Sequence, residues 1–309
     1  MLSDMPTFFR DRYDVQFIPK YQIHGVSALC VSKEKIESVE CQKFVSGKFT
    51  KVNDYVAVES PLEICISNAN GFQRKPISIT MRTPGDDQEL ALGFLHGEGL
   101  FTGMSSIDLQ QLAVEVFETE NRVLVHIPPG IEIDDEYLTR NFYTTSSCGV
   151  CGKSSINALL ITVPNIKPVS HEKFSWDFIN SLQQKMQEQQ SDFEATGGTH
   201  ASALFSTSGE LMHFAEDVGR HNAMDKVIGS AIKSGNLLTA KIVYFSGRTS
   251  FELVQKSAMA GISTIVCIGA PSSLAIDLAK SFDMLLIGFH RNSQFNIYSA
   301  HERIFTTKD

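Results

Sequence analysis

Apolar residues along this chain fall into two regimes. In the first half, short apolar runs alternate with polar residues; from Asp217 onward, Ile- and Val-rich runs alternate with stretches of helical period. The segments 55–58 and 62–66 and the period-two run 76–81 predict strands. Thr83-Pro84-Gly85-Asp86 predicts a helix start, with Thr83 as cap and Pro84 in the first turn. The helix expected over 87–95 would bury Leu90, Leu92, Phe94 and Leu95, with Gly97 and Gly99 ending it. The segments 112–117 and 122–127 predict a strand pair. Residues 1–50 are weakly periodic and read as an N-terminal extension without assigned structure.

Further on, 176–190 predicts a polar amphipathic helix and 201–214 a hairpin turning at Ser208-Gly209. Helices expected over 221–232, 251–260 and 273–282 then alternate with strands over 241–245, 263–268 and 284–289. Ile- and Val-rich strands between amphipathic helices indicate parallel βαβ units. The expected fold is α/β, with a mixed N-terminal lobe (51–143) and a C-terminal lobe of alternating strands and helices (156–309). A loop at 144–155 joins them.

Composition changes this picture little. The 309 residues are 42% hydrophobic and 20% charged, enough for a substantial core. A net charge of −8 argues against non-specific nucleic-acid binding, which needs a basic surface to displace counterions. The first twenty residues carry charges throughout, and nothing resembles a membrane span, so a cytoplasmic protein with no membrane association is expected.

Chemistry concentrates at one place. Cys30, Cys41, Cys65 and Cys267 are scattered and read as buried thiols, but Cys148 and Cys151 share the small, polar, glycine-rich stretch TTSSCGVCGKSS. Glycines let such a loop bend and expose sulfur, and its amides and Lys153 favour the thiolate. A structural zinc site would need a second C-x-x-C. A thioredoxin-like pair belongs at a helix opening after a buried strand, whereas polar residues 144–147 precede this one. A zinc-dependent deaminase has H-x-E followed by P-C-x-x-C. His96-Gly97-Glu98 supplies the first half, but Ser147 stands where the proline belongs and His96 lies at a helix end, where a solvated turn residue is the plainer reading. No tightly bound metal is expected.

The block 144–156, then GGTHASALF (197–205), EDVGRHNAMDKVIG (216–229) and SGRTSFELVQKSAMAGIS (246–263), together with TPGDDQELALGFLHGEGLF (83–101), resemble the FdhD family of formate dehydrogenase accessory sulfurtransferases. The resemblance implies a cytidine-deaminase-like topology for the C-terminal lobe, without the zinc site. It implies a sulfur carrier that accepts sulfur from a cysteine desulfurase as a cysteine persulfide. The recipient would be the molybdenum (or tungsten) bis-guanine-dinucleotide cofactor of formate dehydrogenase, for which GDP would be a mimic. By position Cys148 would carry the sulfur and Cys151 assist, and a homodimer is implied. A non-catalytic cofactor chaperone, with dispensable cysteines, is the alternative.

Candidate nucleotide contacts follow. Gly288, Phe289, His290, Arg291, Asn292, Ser293 and Gln294 follow the last parallel strand, where open α/β sheets bind ligands. Phe289 would stack a base and Arg291 meet a phosphate. Asp217, Arg220 and His221 surround an expected helix N-terminus, which favours anions. Arg248, in Ser246-Gly247-Arg248, sits on another strand-to-helix turn. His200 precedes an apolar strand and reads slightly more readily as a hydrogen-bonded core histidine than as a ligand contact.

Overall fold

Residues 34–68, 74–129 and 172–306 are described by the computed structural model. All lie in the unit Val31–Asp309. The cysteine loop with Cys148 and Cys151 lies outside the described residues.

Strands β1 (Ile36–Val45) and β2 (Lys48–Ala57) form an antiparallel hairpin. Ser46 and Gly47, at φ 49° and 84°, close it. Positive φ at both loop residues matches the twist of the flanking strands. The boundary expected at residue 50 thus falls inside β2. Apart from the strand predicted over 55–58, which falls at the end of β2, the hairpin escapes sequence reading because most of its side chains are exposed, Phe44 and Phe49 included, so no buried face imposes an alternation.

Strands β3 (Ser60–Asn68) and β4 (Lys75–Arg82) lead into α1 (Asp87–Gly97), followed by α2 (Ser106–Gln110), β5 (Val114–Phe117) and β6 (Arg122–Ile127). The four strands form a sheet in the order β4-β3-β6-β5, with β3 and β6 parallel. The start of α1 differs from expectation. Asp86, in the left-handed region, precedes the first helical residue and makes no side-chain cap bond. The Thr83 hydroxyl instead accepts from the Val218 N–H at 3.1 Å, so it serves the far lobe.

The remaining elements are β7 (Phe174–Ser175), α3 (Trp176–Gln187), α4 (Ser191–Thr196), β8 (His200–Phe205), β9 (Leu211–Asp217), α5 (Arg220–Lys233), β10 (Ile242–Phe245), α6 (Phe251–Met259), β11 (Thr264–Cys267), α7 (Ser273–Ser281), β12 (Leu285–Arg291), β13 (Gln294–Ser299) and β14 (Ile304–Phe305). Six of the strands form one sheet in the order β13-β12-β11-β10-β8-β9. Its three central strands, β10 to β12, are parallel, and antiparallel pairs flank them. The fold is mixed α/β, with parallel βαβ units where the strand–helix alternation predicts them.

Both faces of this sheet are covered, which is why the central parallel strands β10 and β11 read as near-continuous apolar runs rather than alternations. Ala203, Tyr244, Val266 and Ile287 face one core with Ile179, Leu182 and Met186 of α3. Leu204, Val243, Ile265 and Leu286 face the other, larger core with α5 and α6. That core continues through α1 to Leu62, Ile64 and Val123 of the four-stranded sheet, so the two lobes share it.

Two glycines make the shared core possible. A Cβ on Gly93 of α1 would sit 1.8 Å from the Asp225 carbonyl oxygen, and one on Gly229 of α5 would sit 1.9 Å from that of Glu89. The helices therefore cross backbone to backbone, at a separation only glycine permits.

Candidate functional site at the sheet edge

The C-terminal ends of β10, β11 and β12 define one edge of the six-stranded sheet. Because β8 runs antiparallel to β10, its first residue, His200, reaches that edge. His200 pairs in register with Asp217, the last residue of β9, which leads through Gly219 into α5. Chain topology thus gathers His200, Arg220, His221 and the Gly247-Arg248 turn. A Cβ on Gly247 would meet the His200 Nδ1 at 3.2 Å, so the imidazole lies against this turn. The turn is fixed by the Ser246 hydroxyl, which accepts from the Ala201 N–H at 2.8 Å.

The same neighbours act on the His200 charge. The His200 pKa is held below the ordinary histidine value, first by burial, then by the Arg220 and Arg248 guanidiniums. Arg248 is exposed. The Nε of Arg220 is buried with no hydrogen-bond partner among the described residues. His221 Nε2 stands 2.9 Å from Glu252 Oε2 and 3.1 Å from the Ser250 hydroxyl, at the N-terminus of α6. Neither α5 nor α6 has a side-chain cap on its first turn, so their amides remain available to an acceptor. The edge presents guanidinium and backbone donors, as an anionic ligand requires.

Gly288 to Gln294 occupy the same edge further along. Three strand steps separate β8 from β12, about 14 Å at roughly 4.8 Å each. A Cβ on Gly288 would lie 2.8 Å from Pro271 Cδ, so glycine lets β12 pass the β11–α7 turn. A bulge follows, where Phe289 has φ 54° and its N–H donates to the Gly269 carbonyl at 3.0 Å. Phe289 is exposed at this bulge. Arg291, Asn292, Ser293 and Gln294 are exposed on the β12–β13 hairpin, with Asn292 and Ser293 both at positive φ.

His290 behaves differently from its neighbours. It is fully buried; Nδ1 lies 2.7 Å from the Tyr244 hydroxyl and Nε2 2.9 Å from Asn180 Oδ1. Both ring nitrogens are engaged on the α3 side of the sheet, so the side chain belongs to the core and not to a ligand surface. Burial lowers its pKa to about 4. His96 also departs from the solvated turn residue expected of it. It is buried at the end of α1, and burial together with the Lys256 ammonium holds it down to about 4.

Sequence reading passed over Glu216, Lys226, Ser250 and Glu252, which hold this edge together. Ser250 and Glu252 were legible in principle, as a hydroxyl and an acid opening the helix after Ser246-Gly247-Arg248. Lys226 was not, because nothing local distinguishes a buried lysine on α5 from a solvated one.

The comparisons with known proteins cover most of the chain. The model of the FdhD/NarQ family matches residues 57–305. A protein of Streptomyces avermitilis named Sulfur carrier protein FdhD is 44% identical over 262 residues, covering 81% of this chain and 89% of the relative. A protein of the same name from Picrophilus torridus is 42% identical over 254 residues, covering 82% and 93%. Among solved structures, a formate dehydrogenase accessory protein from Desulfotalea psychrophila superposes with a TM-score of 0.67 at 24% identity, covering 88% of this chain and all of that one.

Proposed function

The chain belongs to the FdhD/NarQ family, and from that premise we propose that it is a sulfur carrier required for formate dehydrogenase activity. In this reading Cys148 accepts sulfur from a cysteine desulfurase. Its thiolate attacks the sulfane sulfur of the donor persulfide, a new S–S bond forms, and the donor cysteine leaves as thiolate. Cys151 assists the exchange. The recipient, as substrate, is the molybdenum or tungsten bis-guanine-dinucleotide cofactor, and the sheet edge is where its nucleotide portion binds.

The observation that carries the second half is the convergence of Arg220, Arg248 and two uncapped helix N-termini on one edge, with Phe289 exposed further along the same edge. Guanidiniums and amides suit phosphates, and an exposed aromatic ring suits a base. Family naming supports the first half. Among the described residues no helix is long and apolar enough to cross a membrane.

The test is mass spectrometry of the protein after incubation with a cysteine desulfurase and cysteine, in wild type, Cys148→Ala and Cys151→Ala. Formate dehydrogenase activity is followed in cells carrying each. Added sulfur on Cys148, lost with activity in Cys148→Ala, is the expected result. Full activity in both variants would replace sulfur transfer with a cofactor chaperone.

A further inference from the structure

Strand β9 ends in two buried carboxylates, Glu216 at 4% exposure and Asp217 at 0%. They reach in opposite directions. Glu216 accepts the N–H groups of Asp192 at 2.9 Å and Phe193 at 2.8 Å, and the Thr199 hydroxyl at 2.7 Å, directly before His200. Asp217 accepts the Gly219 N–H at 2.8 Å, directly before Arg220, and the Thr83 N–H at 3.1 Å. It also accepts from Asn222 Nδ2 at 3.0 Å and pairs with Lys226 at 2.8 Å, both side chains of that ion pair fully buried. Lys226 in turn donates to the Thr83 carbonyl at 2.9 Å.

We propose that Glu216 and Asp217 are positioning residues of the sheet-edge site, Glu216 for the His200 flank and Asp217 for the Arg220–His221 flank. A buried ion pair is a poor stabiliser, since apolar side chains of similar volume usually hold a core as well or better. What Asp217 and Lys226 provide instead is direction. Asp217 fixes the turn that aims α5, and Thr83 clamps that turn to the first lobe. Glu216 does the same for the segment entering β8. Both flanks are therefore set by adjacent residues on one strand, so the spacing of His200 from Arg220 is fixed from a single point. The inference rests on reading this edge as the nucleotide site.

Two measurements test it in the full chain. Calorimetry with GDP compares wild type, Glu216→Gln and Asp217→Asn, with Ile228→Ala, a core change on the same helix, as the stability control. Histidine-ring NMR of His200 and His221 reads the geometry without ligand. We expect at least tenfold weaker GDP binding in both carboxylate variants, with His200 signals moved by Glu216→Gln and His221 signals by Asp217→Asn. Ile228→Ala is expected to lower the thermal midpoint and move neither signal. Asp217→Asn strands the Lys226 ammonium, so Asp217→Asn/Lys226→Met is the second variant if the single one does not fold. Unmoved ring signals, or a control that reproduces the GDP loss, would overturn the proposal. Absence of GDP binding in wild type would sink the nucleotide reading alone, and the ring signals would still decide the positioning.

Discussion

Phe289 and His290 are neighbours on β12 with opposite surroundings: Phe289 is 38% exposed at the sheet edge, while His290 is fully enclosed, hydrogen-bonded to Tyr244 and Asn180. The bulge at Phe289 makes this possible, at a φ that bulky residues rarely adopt. Replacement of the two should therefore separate binding from stability. Phe289→Gly relieves strain of about 1 kcal/mol yet removes the stacking surface. Unchanged or raised stability with GDP binding at least tenfold weaker is expected. His290→Leu leaves the Tyr244 hydroxyl and Asn180 unpaired and should cost about 2–4 kcal/mol. Urea unfolding and calorimetry on the two variants check both, and the reverse pattern would place His290, not Phe289, at the ligand.

The same burial predicts an acid limit. His96 and His290 have folded pKa values lowered from 6.5 to about 4. Above about pH 6.5 both states are neutral and these groups give no pH dependence. Between about 6.5 and 4 the unfolded chain takes up protons that the native state refuses, so stability falls with pH, and below 4 the slope vanishes. At about 1.4 kcal/mol per pH unit across that window, each residue contributes on the order of 3 kcal/mol of that loss. Chemical denaturation at pH 7 and pH 4.5, repeated in His96→Leu, tests this. The variant should lose less stability on acidification than wild type.

Much of the fold was legible because burial wrote it into the chain. The runs Ile242–Phe245 and Thr264–Cys267 are apolar on both faces because helices cover both sides of their sheet. Of the β1–β2 hairpin only the end of β2, over 55–57, was legible, since its exposed faces place little demand on sequence beyond Ser46 and Gly47. At the site, arginines on strand-to-helix turns were readable from order alone. Whether His200 joined them was not, because that depends on β8 running antiparallel to β10, a long-range fact. His290 misled for a related reason. Adjacent strand residues face opposite ways, and the bulge that sets which one faces out has no sequence mark beyond Gly288.

The crossing of α1 and α5 makes a sharp comparison available. Gly93→Ala and Gly229→Ala each force a methyl group onto a backbone carbonyl oxygen within 2 Å, so a loss of several kcal/mol or failure to fold is expected. Gly103→Ala, at φ 89° but with open space around it, should cost only about 1–2 kcal/mol from backbone strain. Thermal unfolding of the three variants decides. Similar losses at all three would mean that α1 and α5 do not cross at this distance.

Arg220 and Arg248 should contribute to anion binding in different ways. Arg248 is exposed, so its attraction to a phosphate is screened and weak. Arg220 keeps a buried Nε with no acceptor among the described residues, a state that costs about 1–3 kcal/mol until an acceptor arrives. An incoming phosphate removes that penalty, so Arg220 binds with the gain of a donor already stripped of water. Lysine retains the charge but has no counterpart of Nε. Arg220→Lys should therefore weaken GDP binding about tenfold or more while leaving the free protein as stable or slightly more so. Arg248→Lys should weaken binding about threefold or less, and the contribution of this residue should fade between 50 mM and 500 mM salt. Calorimetry across that salt range, with thermal unfolding of each free variant, measures every quantity involved. Equal losses in the two variants, fading together with salt, would show that both arginines act as solvated charges and that the buried Nε of Arg220 has no part in holding the ligand.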